Sequence, residues 1–428
     1  MAAHKPAKLP TAREIAARIL LRVRRDGAFA AAALDAELGR LPQLDPRERA
    51  LATELVYGCL RTEGALRAEI DRYARHGISD DVVLVELLIA VYQLVALSKV
   101  PEFAAVDAAV SAVRRQRGPK VAGFANAVLR KVARSGVRLE DAVRQQQRAP
   151  EWLCAKLTDA VGAAETEALL SGETPTTVRV REGRSLPEWL LQAPPGRASP
   201  LARRAPGGDP RQLPGYDDGA FVIQEEGAQV VALALGARPG ERVLDACAGR
   251  GQKTSLLADR VGPTGKVFAS DLYPAKLDAL AREFQRLELP PPEIAAVDLT
   301  VGSGPIPTGF DRALVDAPCT GTGTLRRRPE ILRRLEADDP GRLAALQRAI
   351  LRTAASRVRP GGRVLYAVCS VLPEEGEAVV AAAGDLLTLA PFDAPELAPL
   401  LEPTDCTLRL LPGRHGTDGF FLASLVRR

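Results

Sequence analysis

The sequence predicts an all-helical domain followed by an α/β domain built on a mostly parallel, doubly wound sheet. Three observations carry this expectation. Between residues 10 and 137 apolar residues recur at helical spacing and no stretch reads as a strand. From about residue 216 short apolar runs alternate with helical stretches, the pattern of a parallel sheet with crossover helices. Two of those runs, Leu314-Val-Asp-Ala-Pro-Cys-Thr-Gly321 and Val364-Leu-Tyr-Ala-Val-Cys-Ser370, deliver a cysteine to a strand end, and ligands gather outside the carboxyl ends of such strands.

The helical domain is expected over residues 1–138. Thr11-x-x-Glu14 forms a capping box, Ile15, Ile19, Leu20 and Val23 share a face, and Asp26-Gly27 stops the helix. Asp45-Pro46 supplies an N-cap and a first-turn proline for a second helix. Ser79-Asp80-Asp81 opens a strongly apolar helix ending near Leu97. Val106, Val110 and Val113 mark another, stopped at Gly118-Pro119, and a last one ends at Gly136. Residues 139–215 are expected to be a small mixed subdomain and linker. It holds a helical stretch from Pro150 to Leu170, a strand at Thr176–Val180, and a proline-rich, unpacked crossing over 193–215. Residues 216–428 form the third region, with strands at Arg242–Ala246, Lys266–Ser270, Glu293–Val297, Arg312–Asp316 and Arg363–Val368. Two further strands follow at Cys406–Leu411 and Phe420–Val426.

Composition excludes several classes. Of 428 residues, 46% are hydrophobic and 26% charged, as in a globular protein. No apolar run reaches the roughly 18–20 residues of a membrane span, and the start lacks a secretory signal. The expectation is a cytoplasmic monomer with a short disordered N-terminal arm and no membrane partner. The six cysteines, Cys59, Cys154, Cys247, Cys319, Cys369 and Cys406, lie far apart without a CxxC pair and read as reduced thiols. His4, His76 and His415 are too few and scattered for a metal site or histidine acid/base chemistry, so no metal is expected. The net charge is +5, and arginines cluster at 22/24/25, 114/115/117, 203/204 and 326–328. Such clusters suit phosphate contacts.

Val243-Leu-Asp-Ala-Cys-Ala-Gly-Arg-Gly-Gln-Lys-Thr254 reads as a strand, a glycine-bearing turn and a helix start. It has neither G-x-G-x-x-G nor Walker spacing. Asp271 ends the next strand, where a carboxylate can accept from both ribose hydroxyls; Asp298 ends the third, where one can accept from an adenine amino group. The ordered set suits S-adenosylmethionine. The expected cofactor contacts are Cys247, Ala248, Gly249, Arg250, Gly251, Gln252, Lys253, Asp271, Asp298 and Asp316.

The expected reacting groups are Cys369, Cys319, Asp316 and Lys253. Carbon 5 of cytosine is a poor nucleophile, but a thiolate added to carbon 6 makes it enamine-like and able to take a methyl group. Asp316 suits hydrogen bonding at ring nitrogen 3. Lys253 can supply positive charge that favours a thiolate, and a second thiol can promote release. Spacing alone does not say which thiol attacks. Cys59, Cys154 and Cys406 are expected to pack as small hydrophobes.

These motifs resemble the RsmB/Sun family of RNA cytosine-carbon-5 methyltransferases. The matches are Leu244-Asp-Ala-Cys with Lys253-Thr254, Asp271-Leu-Tyr-Pro, the run from Asp311 to Glu330, Cys369-Ser-Val-Leu-Pro-Glu-Glu375, Asp418-Gly-Phe-Phe421 and Phe221-Val-Ile-Gln-Glu-Glu-Gly-Ala-Gln229. Arg49–Gly58, Val100–Val106 and Gly118–Arg130 resemble the NusB-like RNA-binding domain fused to that family. The resemblance implies a Rossmann-like class I methyltransferase sheet with an antiparallel final strand, S-adenosylmethionine as cofactor and 16S ribosomal RNA as partner. It also implies that Cys369 attacks while Cys319 assists release. Two departures stand out. The loop reads Cys247-Ala-Gly-Arg-Gly-Gln-Lys253 where the family has Cys-Ala-Ala-Pro-Gly-Gly-Lys, so Gly249 is expected to restore flexibility and Arg250 to reach the methionine carboxylate. Val368 replaces a common threonine before the nucleophile. Alternative readings are transfer RNA as the target, an amino-directed methyltransferase, for which Asp316-Ala-Pro-Cys319 lacks the aromatic, and a non-catalytic assembly or antitermination factor.

Overall fold

The computed structural model describes residues 9–74, 77–140, 149–171 and 175–428; His4, His76 and the expected N-terminal arm lie outside them. The chain forms two compact units, Met1–Glu151 with Arg327–Arg334, and Trp152–Arg326 with Leu335–Arg428.

In the first unit six helices are described: α1 (Ala12–Asp26), α2 (Ala30–Gly39), α3 (Pro46–Asp71), α4 (Asp81–Ala96), α5 (Glu102–Arg117) and α6 (Pro119–Ser135). The Thr11–Glu14 capping box forms, and Gly27 closes α1 in the left-handed conformation. The Asp80 carboxylate accepts from the Val82 and Val83 amides and so caps α4. Residues Val82–Gln93 of α4 are buried without a break, which makes it the central helix of the bundle. Each fully buried Leu, Ile or Val side chain there contributes about 1.5–3 kcal/mol. Helix α2 has no counterpart among the sequence expectations. Its alanine-rich stretch shows no amphipathic stripe, and Phe29 at its start has no capping side chain.

Part of the expected phosphate-binding arginine is structural. The Arg24 side chain is only 10% exposed and pairs with Glu63 at 2.7 Å and Asp81 at 2.9 Å. Residues Arg327–Arg334, which follow the Cys319 motif in the chain, belong to this helical unit. Glu330 accepts from the Ala30 amide at 3.2 Å, and Arg334 stacks 4.2 Å over Phe29.

The second unit opens with helices α7 (Glu151–Val161) and α8 (Ala163–Leu170). A three-stranded antiparallel sheet follows, with β1 (Thr177–Val180) between β2 (Ala202–Arg204) and β3 (Phe221–Ile223). The expected unpacked crossing over 193–215 is therefore corrected. It supplies β2, bridges Pro195 to Arg203, and buries Ala198, Leu201 and Ala202. Pro200 and Pro214 occupy turns, Pro210 opens a short 3-10 helix where no amide donor is needed, and Arg204 donates to the Pro194 carbonyl at 2.9 Å. Buried Arg179 and Arg181 tie β1 to Asp259 at 3.1 and 2.7 Å.

The main sheet has eight strands: β4 (Arg242–Asp245), β5 (Lys266–Asp271), β6 (Glu293–Ala296), β7 (Phe310–Asp316), β8 (Val358–Val368), β9 (Leu387–Leu389), β10 (Thr407–Leu410) and β11 (Phe420–Arg427). Its order is β10-β11-β8-β7-β4-β5-β6, with β9 pairing β11. Strands β6, β5, β4, β7 and β8 run parallel, and β11 is antiparallel to β8. Helices α9 (Gln252–Val261), α10 (Pro274–Arg286) and α11 (Asp339–Ala355) provide crossovers. Helix α9 follows β4, α10 follows β5, and α11 lies between β7 and β8. Parallel pairing of β7 with β8, Asp316 opposite Ala367, brings the loops after both strands to the same edge.

Within the helical unit, Gly58 of α3 meets Tyr92 of α4 so closely that a Cβ would lie 2.1 Å from the ring. Gly58→Ala should therefore destabilise the chain by about 1–3 kcal/mol through overpacking. That loss is read as a lower midpoint in urea denaturation; an unchanged midpoint would contradict the packing described.

Candidate active site

Cys319 lies three residues beyond β7 and Cys369 immediately beyond β8. Their sulfurs are 3.3 Å apart, and both residues are part-buried rather than sealed in the core. The two loops are laced together. The Gly323 amide donates to the Cys369 carbonyl at 3.0 Å, and the Thr322 and Ser370 hydroxyls are 3.0 Å apart. Gly419 donates to the Gly323 carbonyl at 2.8 Å, and a Cβ at 323 would come 2.0 Å from the Gly419 carbonyl oxygen. Only glycine permits that approach, which is why one stands in each motif.

Lys253, on the first turn of α9, reaches Asp316 at the end of β7, Nζ to Oδ2 2.7 Å. Burial lowers the Lys253 pKa, but the charge and hydrogen bond of Asp316 lead the forces that outweigh it and hold the ammonium protonated. A fixed cation thus acts on Cys369. The Cys319 thiol is pushed well up, first by its hydrogen bond with Cys369 and then by burial.

The β4–α9 turn follows the glycine logic of the sequence. Gly249 and Gly251 have φ of +57° and +89°, and a Cβ on Gly251 would lie 2.7 Å from Leu280. The Ala248 amide donates to the Ser270 carbonyl at 2.8 Å. Asp271 accepts from the Gly249 amide at 3.0 Å and the Tyr273 amide at 2.9 Å, so it orders the loop. Arg250 and Gln252 are exposed, while Cys247 is part-buried and packs against the sheet core. Burial raises the Cys247 thiol well above its ordinary range. Asp298 caps its own turn, accepting from the Thr300 amide at 2.9 Å and hydroxyl at 2.6 Å. These bonds lower its pKa.

Residues 232–426 match the model of the family described as 16S rRNA methyltransferase RsmB/F, and residues 10–134 match the NusB family. The ribosomal RNA small subunit methyltransferase B of Xanthomonas campestris pv. campestris is 33% identical, covering 100% of this chain and 99% of its own length. This chain is a member of the RsmB family of S-adenosylmethionine-dependent ribosomal RNA methyltransferases. The enzyme of the same designation from Erwinia tasmaniensis is 32% identical over 89% of this chain and 91% of its own. In fold, the crystal structure of PH0851 aligns with a TM-score of 0.81 at 23% identity, covering 99% of this chain and 100% of that one.

The RsmB-type sheet offers S-adenosylmethionine a fitting set of groups. Asp245 is 1% exposed; one oxygen accepts from Thr254 at 2.7 Å, and the other, Oδ1, has no partner among the described residues. An unpaired buried acceptor at the mouth of β4, beside the glycine turn and Asp271, suits the amino and hydroxyl donors of that cofactor. Among the described residues no group of three or more metal-ligating side chains occurs, and no helix is long and apolar enough to cross a membrane.

One expected phosphate contact is corrected. Arg326 is buried and paired with buried Asp418 at 3.0 Å, joining the Cys319 loop to the turn before β11. Sequence reasoning also gave no role to Thr320, Gln347, Tyr366 or Glu375, which surround Cys319. The signal was present in the Pro-Glu-Glu375 match, but its target lies 55 residues away at Thr320. Of the three cysteines expected to be inert, Cys59 is fully buried, whereas Cys154 and Cys406 are part-buried.

Burial raises the Asp245 pKa to about 7, against about 3.9 in an unfolded chain. The folded state therefore holds this proton between pH 4 and 7 while the unfolded state releases it, so stability from this group falls as pH rises through that window. The slope is up to about 1.4 kcal/mol per pH unit. Asp245→Asn should flatten the fall in apo-protein stability between pH 5 and 7 in thermal denaturation. Identical pH slopes in both proteins would contradict the buried carboxyl.

Proposed function

We propose that the chain methylates carbon 5 of a cytosine in ribosomal RNA, with 16S RNA as the target, through a covalent adduct of Cys369. The observation that carries this reading is the 3.3 Å contact of two thiols beside the Lys253–Asp316 pair. The target base must leave its stack to reach them.

Lys253 and the Cys319 S–H stabilise the Cys369 thiolate, which adds to carbon 6 while ring nitrogen 3 takes a proton from solvent, held against Asp316 and given back when the thiol is expelled. S-adenosylmethionine supplies the methyl group that carbon 5 takes. Bond formation discharges the Cys369 sulfur, and the main cause of the high Cys319 pKa goes with it. The Cys319 proton can then pass to solvent, and the resulting thiolate takes the proton from carbon 5. That C–H electron pair becomes the carbon 5–carbon 6 double bond, the carbon–sulfur bond breaks, and its pair returns to Cys369. One proton is released per turnover, and the two sulfurs regain their starting states. Asp271 and the 247–253 turn hold the cofactor in this reading, and the family relationship supports RNA as the partner of the helical unit.

Cys369→Ala should lower methyl transfer by on the order of 10³-fold or more, the scale of removing a nucleophile. Cys319→Ala should instead accumulate an SDS-stable protein–RNA complex. The assay is incubation with unmodified ribosomal RNA and labelled cofactor, followed by gel analysis and bisulfite mapping. Normal turnover by Cys319→Ala without adduct, or a methyl group on an exocyclic amine, would overturn the reading.

A further inference from the structure

We infer that Glu375 is a positioning residue for the release step, holding the Cys319 thiol against Cys369 through both peptide groups that flank it. This deepens the covalent reading above and rests on it.

Cys319 sits in a loop, and a loop thiol needs its backbone fixed to stay within 3.3 Å of a partner sulfur. The amide on its far side, Thr320 N–H, donates to Glu375 Oε1 at 2.9 Å, and the Thr320 hydroxyl donates to Oε2. The carbonyl on its near side, that of Pro318, accepts from Gln347 Nε2 at 2.9 Å. The same Gln347 amino group donates to Glu375 Oε1 at 2.9 Å, so both anchors meet at one carboxylate. The Tyr366 hydroxyl, from β8, donates to the Glu375 carbonyl at 2.6 Å and fixes the residue from behind. Glu375, Gln347 and Tyr366 have no solvent exposure.

The partners of this carboxylate are neutral donors, and a buried carboxylate without a cation is costly to fold. What it provides is an acceptor-only group with two oxygens, matched to N–H and O–H donors converging from two directions. A glutamine of the same shape would turn an N–H toward one of those donors. Its charge also acts on the thiol, since the Glu375 carboxylate adds to the forces keeping Cys319 protonated while it waits beside Cys369. The side-chain bonds of Glu375 run to Thr320 and Gln347, on the Cys319 side of the pair, so its loss should impair the release more than the attack.

The test uses the full chain, unmodified ribosomal RNA and labelled S-adenosylmethionine under single-turnover conditions, following formation and decay of the SDS-stable adduct separately. Glu375→Gln and Thr320→Val should slow decay by on the order of 10²-fold, the cost of misplacing a reacting group by about 1 Å. Formation should stay within a few-fold of wild type in both. Adduct should build up as in Cys319→Ala, and Thr320→Ser, which restores the hydroxyl, should recover decay. Thr320→Val is isosteric and carries the test should Glu375→Gln fail to fold. Wild-type decay in these variants, with adduct accumulating normally in Cys319→Ala, would remove the role of Glu375 alone. Equal loss of formation and decay would reduce it to a structural one. Absence of adduct in Cys319→Ala would instead bring down the covalent reading and Glu375 with it.

Discussion

Two sulfurs 3.3 Å apart at the ends of adjacent parallel strands are the constraint on which the site depends. Parallel register supplies the juxtaposition without requiring the two loops to find each other, because β7 and β8 leave the sheet at the same edge. In the proposed mechanism these two sulfurs share one proton, so the readiness of one to attack and of the other to stay protonated would be a single property of the pair. In that mechanism adduct formation would remove the contact, freeing the second thiol at the point in the cycle where a base is needed.

The surrounding structure keeps this pair in place chiefly through backbone. Gly323 and Gly419 let three loops close on one another at distances no side chain would allow. The Arg326–Asp418 pair fastens the same loops from the interior. Breaking such a buried pair from one side leaves an uncompensated charge costing about 3–5 kcal/mol. Lys253 adds the electrostatic part: it follows directly on the β4–α9 glycine turn, so in the proposed mechanism cofactor loop and thiol field would share one element.

Local chemistry was legible in the sequence. The Thr11 capping box, the Asp80 cap, the glycine turn after β4 and the cysteines at strand ends were all foreseeable, because each depends on residues a few positions apart. Helix α2 was not, since alanines without an apolar stripe or a capping side chain give no periodic signal. The 193–215 stretch read as a linker because its prolines look like breaks, yet its pairing partners lie in β1 and β3. Arg326 looked like a phosphate ligand because Asp418, 92 residues on, cannot be associated with it by spacing. Glu375 escaped for the same reason: its meaning is a hydrogen bond to Thr320, across a crossover helix.

The most direct test of the account is to locate the carbon–sulfur bond. Incubating the wild-type chain and cofactor with RNA containing 5-fluorocytidine blocks proton loss at carbon 5 and leaves the adduct in place. Mass analysis of the digested complex then identifies the modified peptide. A nucleotide on the peptide bearing Cys369 is the predicted result; a nucleotide on the Cys319 peptide, or methyl transfer to normal RNA with no trapped adduct, would contradict it.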